Sequence, residues 1–85
     1  MKLLMCRHCG DVFNLDYQYK YCKCKAVKGR YLNDLDAEYS GDYAIPLGFA
    51  NNSISVAIKN QPMSGMGYNF NAFVIPAICD TFIKR

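Results

Sequence analysis

Met5-Cys6-Arg7-His8-Cys9-Gly10-Asp11-Val12-Phe13, answered twelve residues after Cys9 by Tyr21-Cys22-Lys23-Cys24, is the stretch that decides how this chain folds. Four of its five cysteines fall in the first 24 residues. Zinc takes four soft or borderline ligands at tetrahedral corners, with Zn–S near 2.3 Å. The Cys6-Arg7-His8-Cys9-Gly10 turn aims two sulfurs at one point, and Gly10 lets the backbone leave through positive φ. The intervening residues suit a short hairpin that returns Cys22 and Cys24 to the first pair. The expected metal ligands are therefore Cys6, Cys9, Cys22 and Cys24, holding a structural Zn2+.

Other uses of the cysteines fit less well. The apolar run of Met1-Lys2-Leu3-Leu4-Met5 is cut off by Cys6-Arg7-His8, so no secretory leader is expected and the compartment is read as cytoplasmic and reducing. A Cys22–Cys24 disulfide would also close a strained ring. A redox Cys-x-x-Cys belongs at a helix start after a strand in a parallel sheet, which does not fit here. An iron–sulfur cluster stays open beside zinc, because the ligand spacings overlap. Cys22-Lys23-Cys24 is tighter than the usual Cys-x-x-Cys, so His8 and Cys79 stand as reserve ligands. Cys79 follows the apolar Val74-Ile75-Pro76-Ala77-Ile78, where a free cysteine behaves as a small hydrophobe.

Length and composition agree with a stapled domain. A chain of 85 residues hides only about 60–65% of the surface it exposes unfolded, so a metal, disulfides or a partner chain is expected to help. Apolar residues make up 52% and charged residues 20%, the opposite of a disordered segment. No apolar run approaches the roughly 20 residues of a membrane span.

The net charge of +3 is unevenly spread. Lys2, Arg7, Lys20, Lys23, Lys25, Lys28 and Arg30 face only Asp11 and Asp16 within residues 1–30, whereas carboxylates outnumber cations beyond them. Such a basic lobe either offsets thiolate charge or attracts the phosphates of a nucleic acid or the acidic face of a protein. Phe13, Leu15, Tyr17, Tyr19 and Tyr21 alternate with polar residues, which predicts strand with one packed face and a hairpin turn near Asp16-Tyr17-Gln18. Tyrosines interleaved with lysines also resemble a single-strand binding surface.

Tyr31-Leu32 is read as a third ribbon strand. Asn33-Asp34-Leu35-Asp36, with Glu38, is read as a solvated acidic link, since a calcium loop's Gly and terminal Glu are missing. Tyr39 to Tyr43 predicts a strand broken at Ser40-Gly41-Asp42. Ala44 to Phe49 is a strand that Pro46 assigns to an edge or a bulge. Asn51-Asn52-Ser53 is a helix-capping cluster before two helical turns, Ile54 to Asn60, ended by Gln61-Pro62. Met63-Ser64-Gly65-Met66-Gly67 is loop, Phe70 to Ile75 is strand, and the last residues form an edge strand. The fold class is small α+β, a zinc ribbon over residues 1–32 joined to a small antiparallel sheet with one short helix over 33–85, within one compact domain.

On the two cysteine knuckles, residues 3–31 resemble the zinc-ribbon class, in which the metal is structural and the ribbon is a platform for nucleic acid or protein. The whole chain resembles small zinc-ribbon proteins of bacteriophages and mobile elements, through residues 6–10, Gly29-Arg30-Tyr31-Leu32, Ala44 to Asn51, Lys59-Asn60-Gln61-Pro62 and Ala72 to Pro76. That resemblance implies a non-catalytic accessory protein acting against a host system.

Catalysis finds no support. His8, the only histidine, lies inside a knuckle, and four thiolates leave zinc no open position. Two functions follow. The first is a binding module that captures a nucleic acid or host protein through Lys20, Lys23, Lys25, Lys28 and Arg30. The alternative is an oligomeric sponge for a phosphate-bearing signalling nucleotide, held by the backbone at Asn51, Asn52, Ser53, Gly65 and Gly67.

Overall fold

Each cysteine knuckle is the bend of a hairpin, and each hairpin starts a different sheet. The computed structural model describes all residues from Met1 to Arg85. Strand β1 (Lys2–Cys6) runs into the first knuckle and returns as β2 (Val12–Asn14), with Leu4 opposite Phe13. Strand β3 (Lys20–Tyr21) runs into the second and returns as β4 (Lys28–Tyr31), with Tyr21 opposite Lys28. The Phe13–Tyr21 run is therefore not one hairpin. It crosses from sheet to sheet at Leu15, which is buried, and leaves Tyr17, Tyr19 and Tyr21 exposed. The predicted packed aromatic face is thus corrected. Period-2 alternation cannot reveal that a strand has been split between two sheets.

The remaining strands attach to both hairpins. Strand β5 (Ala37–Ser40) pairs antiparallel with β4, and β6 (Ala44–Phe49) pairs antiparallel with β1. After helix α1 (Asn51–Lys59), β7 (Ala72–Val74) pairs with β6, and the final strand β8 (Phe82–Lys84) lies parallel to β5. The result is α+β, with two four-stranded sheets in the orders β2-β1-β6-β7 and β3-β4-β5-β8. Each sheet takes strands from both sides of residue 32.

The core forms where the sheets face each other. Leu4, Cys6 and Ala44 from one sheet meet Ala37, Tyr39 and Phe82 from the other, with Leu15, Cys22, Val27 and Ile75 completing the cluster. Gly29 allows the approach: a Cβ there would lie 2.5 Å from Leu4 Cδ1. Tyr39 meets Phe82 edge to face at 4.9 Å, a geometry that aromatic quadrupoles favour.

Several local expectations are revised. Pro46 lies in an interior strand, not on an edge or bulge. The bonds Phe49 N–H to Met1 O and Arg7 N–H to Tyr43 O fix the alternation, which turns the Pro46 nitrogen away from β1. It faces Ile75, whose N–H donates to Pro46 O at 2.9 Å, where the β7 pairing stops. A missing donor is tolerated at the end of a ladder. The third ribbon strand is Lys28–Tyr31, and Leu32 lies beyond it.

Glu38 belongs to β5 and is buried, so it is not part of the solvated link. The link itself is a turn in which Asn33 Oδ1 accepts the Leu35 and Asp36 N–H groups. Helix α1 begins at Asn51, with Ala50 at its N-cap and no side-chain cap. Asn51, Asn52 and Ser53 are therefore its first turn, not its caps. Ser53 Oγ instead donates to Ala50 O and accepts the Asn71 N–H. Ala57 is the only buried residue of the helix. No helix is long and apolar enough to cross a membrane.

Candidate metal centre

The two knuckles share one frame. In the first, Cys6 N–H bonds Asp11 O at 2.9 Å; in the second, Cys22 N–H bonds Val27 O at 3.0 Å. Both loops close over the same span of chain. In each, the residue after the second cysteine is left-handed: Gly10 at φ 77 and Lys25 at φ 64. The turn bond is Gly10 N–H to Cys6 O in the first and Lys25 N–H to Cys22 O in the second. The residue missing between Cys22 and Cys24 is thus restored after them, by Ala26. Tight Cys-x-Cys spacing is compatible with a full knuckle because the left-handed corner simply moves one residue earlier.

These turns bring the sulfurs of Cys6, Cys9, Cys22 and Cys24 within 4.8 Å of one another. Cys6 Sγ and Cys24 Sγ are 3.7 Å apart, and Cys22 Sγ and Cys24 Sγ are 3.5 Å apart. A tetrahedral tetrathiolate with bonds near 2.3 Å has edges of about 3.8 Å. The four cysteines are therefore positioned to bind a metal ion, and their donor chemistry suits zinc or iron. Cys6 and Cys22 are buried, while Cys24 is exposed. Backbone amides also point at the sulfurs: Cys9 N–H at Cys6 Sγ, 3.5 Å, and Val27 N–H at Cys22 Sγ, 3.3 Å. Such bonds orient ligands and stabilise thiolate charge.

The protons show why the cluster wants a cation. The Cys24 and Asp11 amides draw the Cys9 thiol down to about 6. Burial and the Cys9 thiol work to raise Cys22, but the Val27 amide and the Cys24 and Cys6 thiols outweigh them and lower it. At Cys24 the Ala26 amide is outweighed by burial and by three thiol neighbours, which push it up to about 12. Four adjacent sulfurs cannot all become anionic unless a positive ion sits among them.

The reserve ligands lie elsewhere. His8 packs at a tilt against Tyr43, with ring centroids 5.1 Å apart. Cys79 Sγ lies 3.5 Å from Thr81 Oγ1 and is not among the clustered cysteines.

The basic residues separate into two groups. Lys23 and Lys25 are exposed on the second knuckle, where Asp11 accepts the Lys23 backbone N–H. Lys20 Nζ donates to Asn14 Oδ1 across the gap between β3 and β2. Lys28 and Arg30 both lie over the Tyr19 ring, at 4.6 and 4.5 Å from its centroid. Cross-strand partners share a face, so Tyr21, Lys28, Arg30 and Glu38 stand together on the outer side of sheet β3-β4-β5-β8.

Glu38 organises that face, a role its sequence neighbourhood does not announce. Its Oε1 accepts from the Tyr19 hydroxyl at 2.7 Å and Arg30 Nε at 2.9 Å; its Oε2 accepts from Arg85 Nε at 2.8 Å. Tyr19, then Arg85 and Arg30, hold its carboxyl down at about 2. A lone Glu between Ala37 and Tyr39 in an alternating stretch is the one signal that could have found it.

Of the residues expected to hold a phosphate, Asn51, Asn52 and Ser53 form the first turn of α1, while Gly65 and Gly67 lie in the segment after it. Asn51 Oδ1 accepts from the Met1 amino group, and the Ser53 hydroxyl is committed to Ala50 and Asn71. Gly67 lines an apolar depression against Ile54, Ala57 and Ile58, on the side of the helix. Gly65 is in the exposed loop at φ 85. No protein-family model, curated protein or solved structure matches this chain.

Proposed function

We propose that this protein is a zinc-stabilised, non-catalytic binding module that holds single-stranded nucleic acid on the outer face of sheet β3-β4-β5-β8. One observation carries the reading: Lys28 and Arg30 both lie against the Tyr19 ring on a face anchored by a buried carboxylate. Exposed tyrosines offer rings for bases to stack on, and the cations track the phosphates. Glu38 engages Arg30 and Arg85 only through Nε, which leaves their terminal nitrogens for the bidentate phosphate contacts that guanidinium favours. The zinc's part is structural. By anchoring β3 and β4 at the knuckle, it fixes the strands that carry these side chains. In the phage setting that the sequence resembles, the module acts as an accessory or counter-defence protein on nucleic acid in the infected cell.

Fluorescence anisotropy with labelled single-stranded oligonucleotides tests this. Removing one cation that neutralises a phosphate should lower the slope of log K against log salt by about 0.7, so Lys28→Ala and Arg30→Ala should each do so. Tyr21→Ala should weaken binding by about 1–3 kcal/mol at unchanged salt slope. Absence of binding at about 50 mM salt, or affinity indifferent to all three changes, rejects the reading.

A further inference from the structure

We infer that the protein self-associates into a two-fold dimer by pairing β7 with β7 of a second copy, a surface separate from the proposed nucleic-acid face. Residues 58–74 are exposed without interruption, and they include Met63, Met66, Tyr68, Phe70, Phe73 and Val74. Between Asp42 and Asp80 the only charged residue is Lys59. A shallow apolar depression of about 300 Å³, lined by Leu47, Phe49, Ala72, Phe73 and Val74, follows the strand.

The area states what is missing. The chain exposes 6014 Å², whereas a compact monomer of 9.6 kDa exposes about 5,100 Å². The surplus of about 900 Å² is close to the roughly 800 Å² that each partner gives to a standard interface. The radius of gyration, 14.3 Å, likewise exceeds the about 12 Å of a compact chain of this length.

The edge specifies the occupant. Strand β7 ends its sheet, and the bonds Ile75 N–H to Pro46 O and Ala50 N–H to Asn71 O turn the groups of Asn71, Phe73 and Ile75 toward β6. Alternation then points the N–H and C=O of Ala72 and Val74 outward. Free edges in soluble proteins are usually guarded by charge, proline or a bulge, and β7 itself carries none of these. A second antiparallel β7 satisfies both outward positions at once, Ala72 against Val74 in each direction, with Phe73 opposite Phe73 at the dyad. An isologous contact of this kind needs no opposite charge, which matches a neutral surface and not an anionic partner.

Sedimentation velocity at about 50 μM, well within the range of ordinary homodimers, decides between the outcomes. The wild type should run at twice the 9.6 kDa chain mass. Val74→Lys should run at the single-chain mass, while Val12→Lys, on the opposite edge of the same sheet, should stay doubled. A single-chain wild type overturns the proposal, whether the face is then bare or taken by a different protein. A doubled Val74→Lys, or a dissociated Val12→Lys, overturns it as well. Hydrogen exchange on the wild type needs no variant to fold. The Ala72 and Val74 amides should exchange slowly at high concentration and at least tenfold faster on dilution; fast exchange at both rejects the pairing.

Discussion

Residues 1–49 and the arm from Ala50 to Asp80 solve the problem of a small chain in opposite ways. In the first, two hairpins are tied at a sulfur cluster, and most of the core sits beneath them. The arm contributes only Ala57 and Ile75 to the buried residues. Its helix has no side-chain cap at its N-terminus and its strand occupies a sheet edge. Four cysteines placed to bind one metal ion sit at the centre of one region. The other buries little of its own apolar surface. The difference teaches that four sulfurs gathered at one end of a small fold need not fill out the packing of its other end.

The largest test separates the two regions at the metal. Cys9→Ser, or zinc removal by a chelator, should unfold both sheets, because Cys6 and Cys22 belong to the shared core and zinc binding supplies about 10–16 kcal/mol in comparable sites. Circular dichroism that stays native without metal breaks the comparison. Calorimetric zinc titration in buffers of different ionisation enthalpy sharpens it. At pH 7 fewer than four protons should leave, since Cys9 sits near 6, but at least one, since Cys24 is held near 12.

Aromatic truncations come next. Phe82 is fully buried and Phe70 is exposed, so Phe82→Ala should cost about 3–5 kcal/mol in denaturant unfolding and Phe70→Ala about 1 kcal/mol or less in dilute solution. Equal costs would mean that the arm carries core of its own. Glu38→Ala should lose about 1–3 kcal/mol, by leaving Tyr19 and two guanidinium groups without their acceptor. Lys25→Gly should gain about 0.5–1 kcal/mol, as glycine relieves the left-handed corner. Thermal melts on zinc-loaded protein resolve both signs.

How much was legible follows the range of each interaction. The cysteine spacing and Gly10 announced the first knuckle, because a turn and a metal ligand are decided within a few residues. The second knuckle was readable in its sulfurs but not in its geometry, since Lys25 hides a left-handed position that only glycine advertises. The helix was expected near its true place, though its start moved to Asn51 when Ser53 found Asn71 as a hydrogen-bond partner from the far side of the loop.

Composition and spacing alone determined that the chain is small α+β and carries four sulfurs ready for one ion. Only the tertiary structure decided that β2 and β3 separate into different sheets, that Pro46 sits inside one of them, and that Glu38 gathers Tyr19, Arg30 and Arg85. Strand pairing and carboxylate capture join residues far apart in sequence. Their energies depend on which faces meet, and local periodicity holds no record of that.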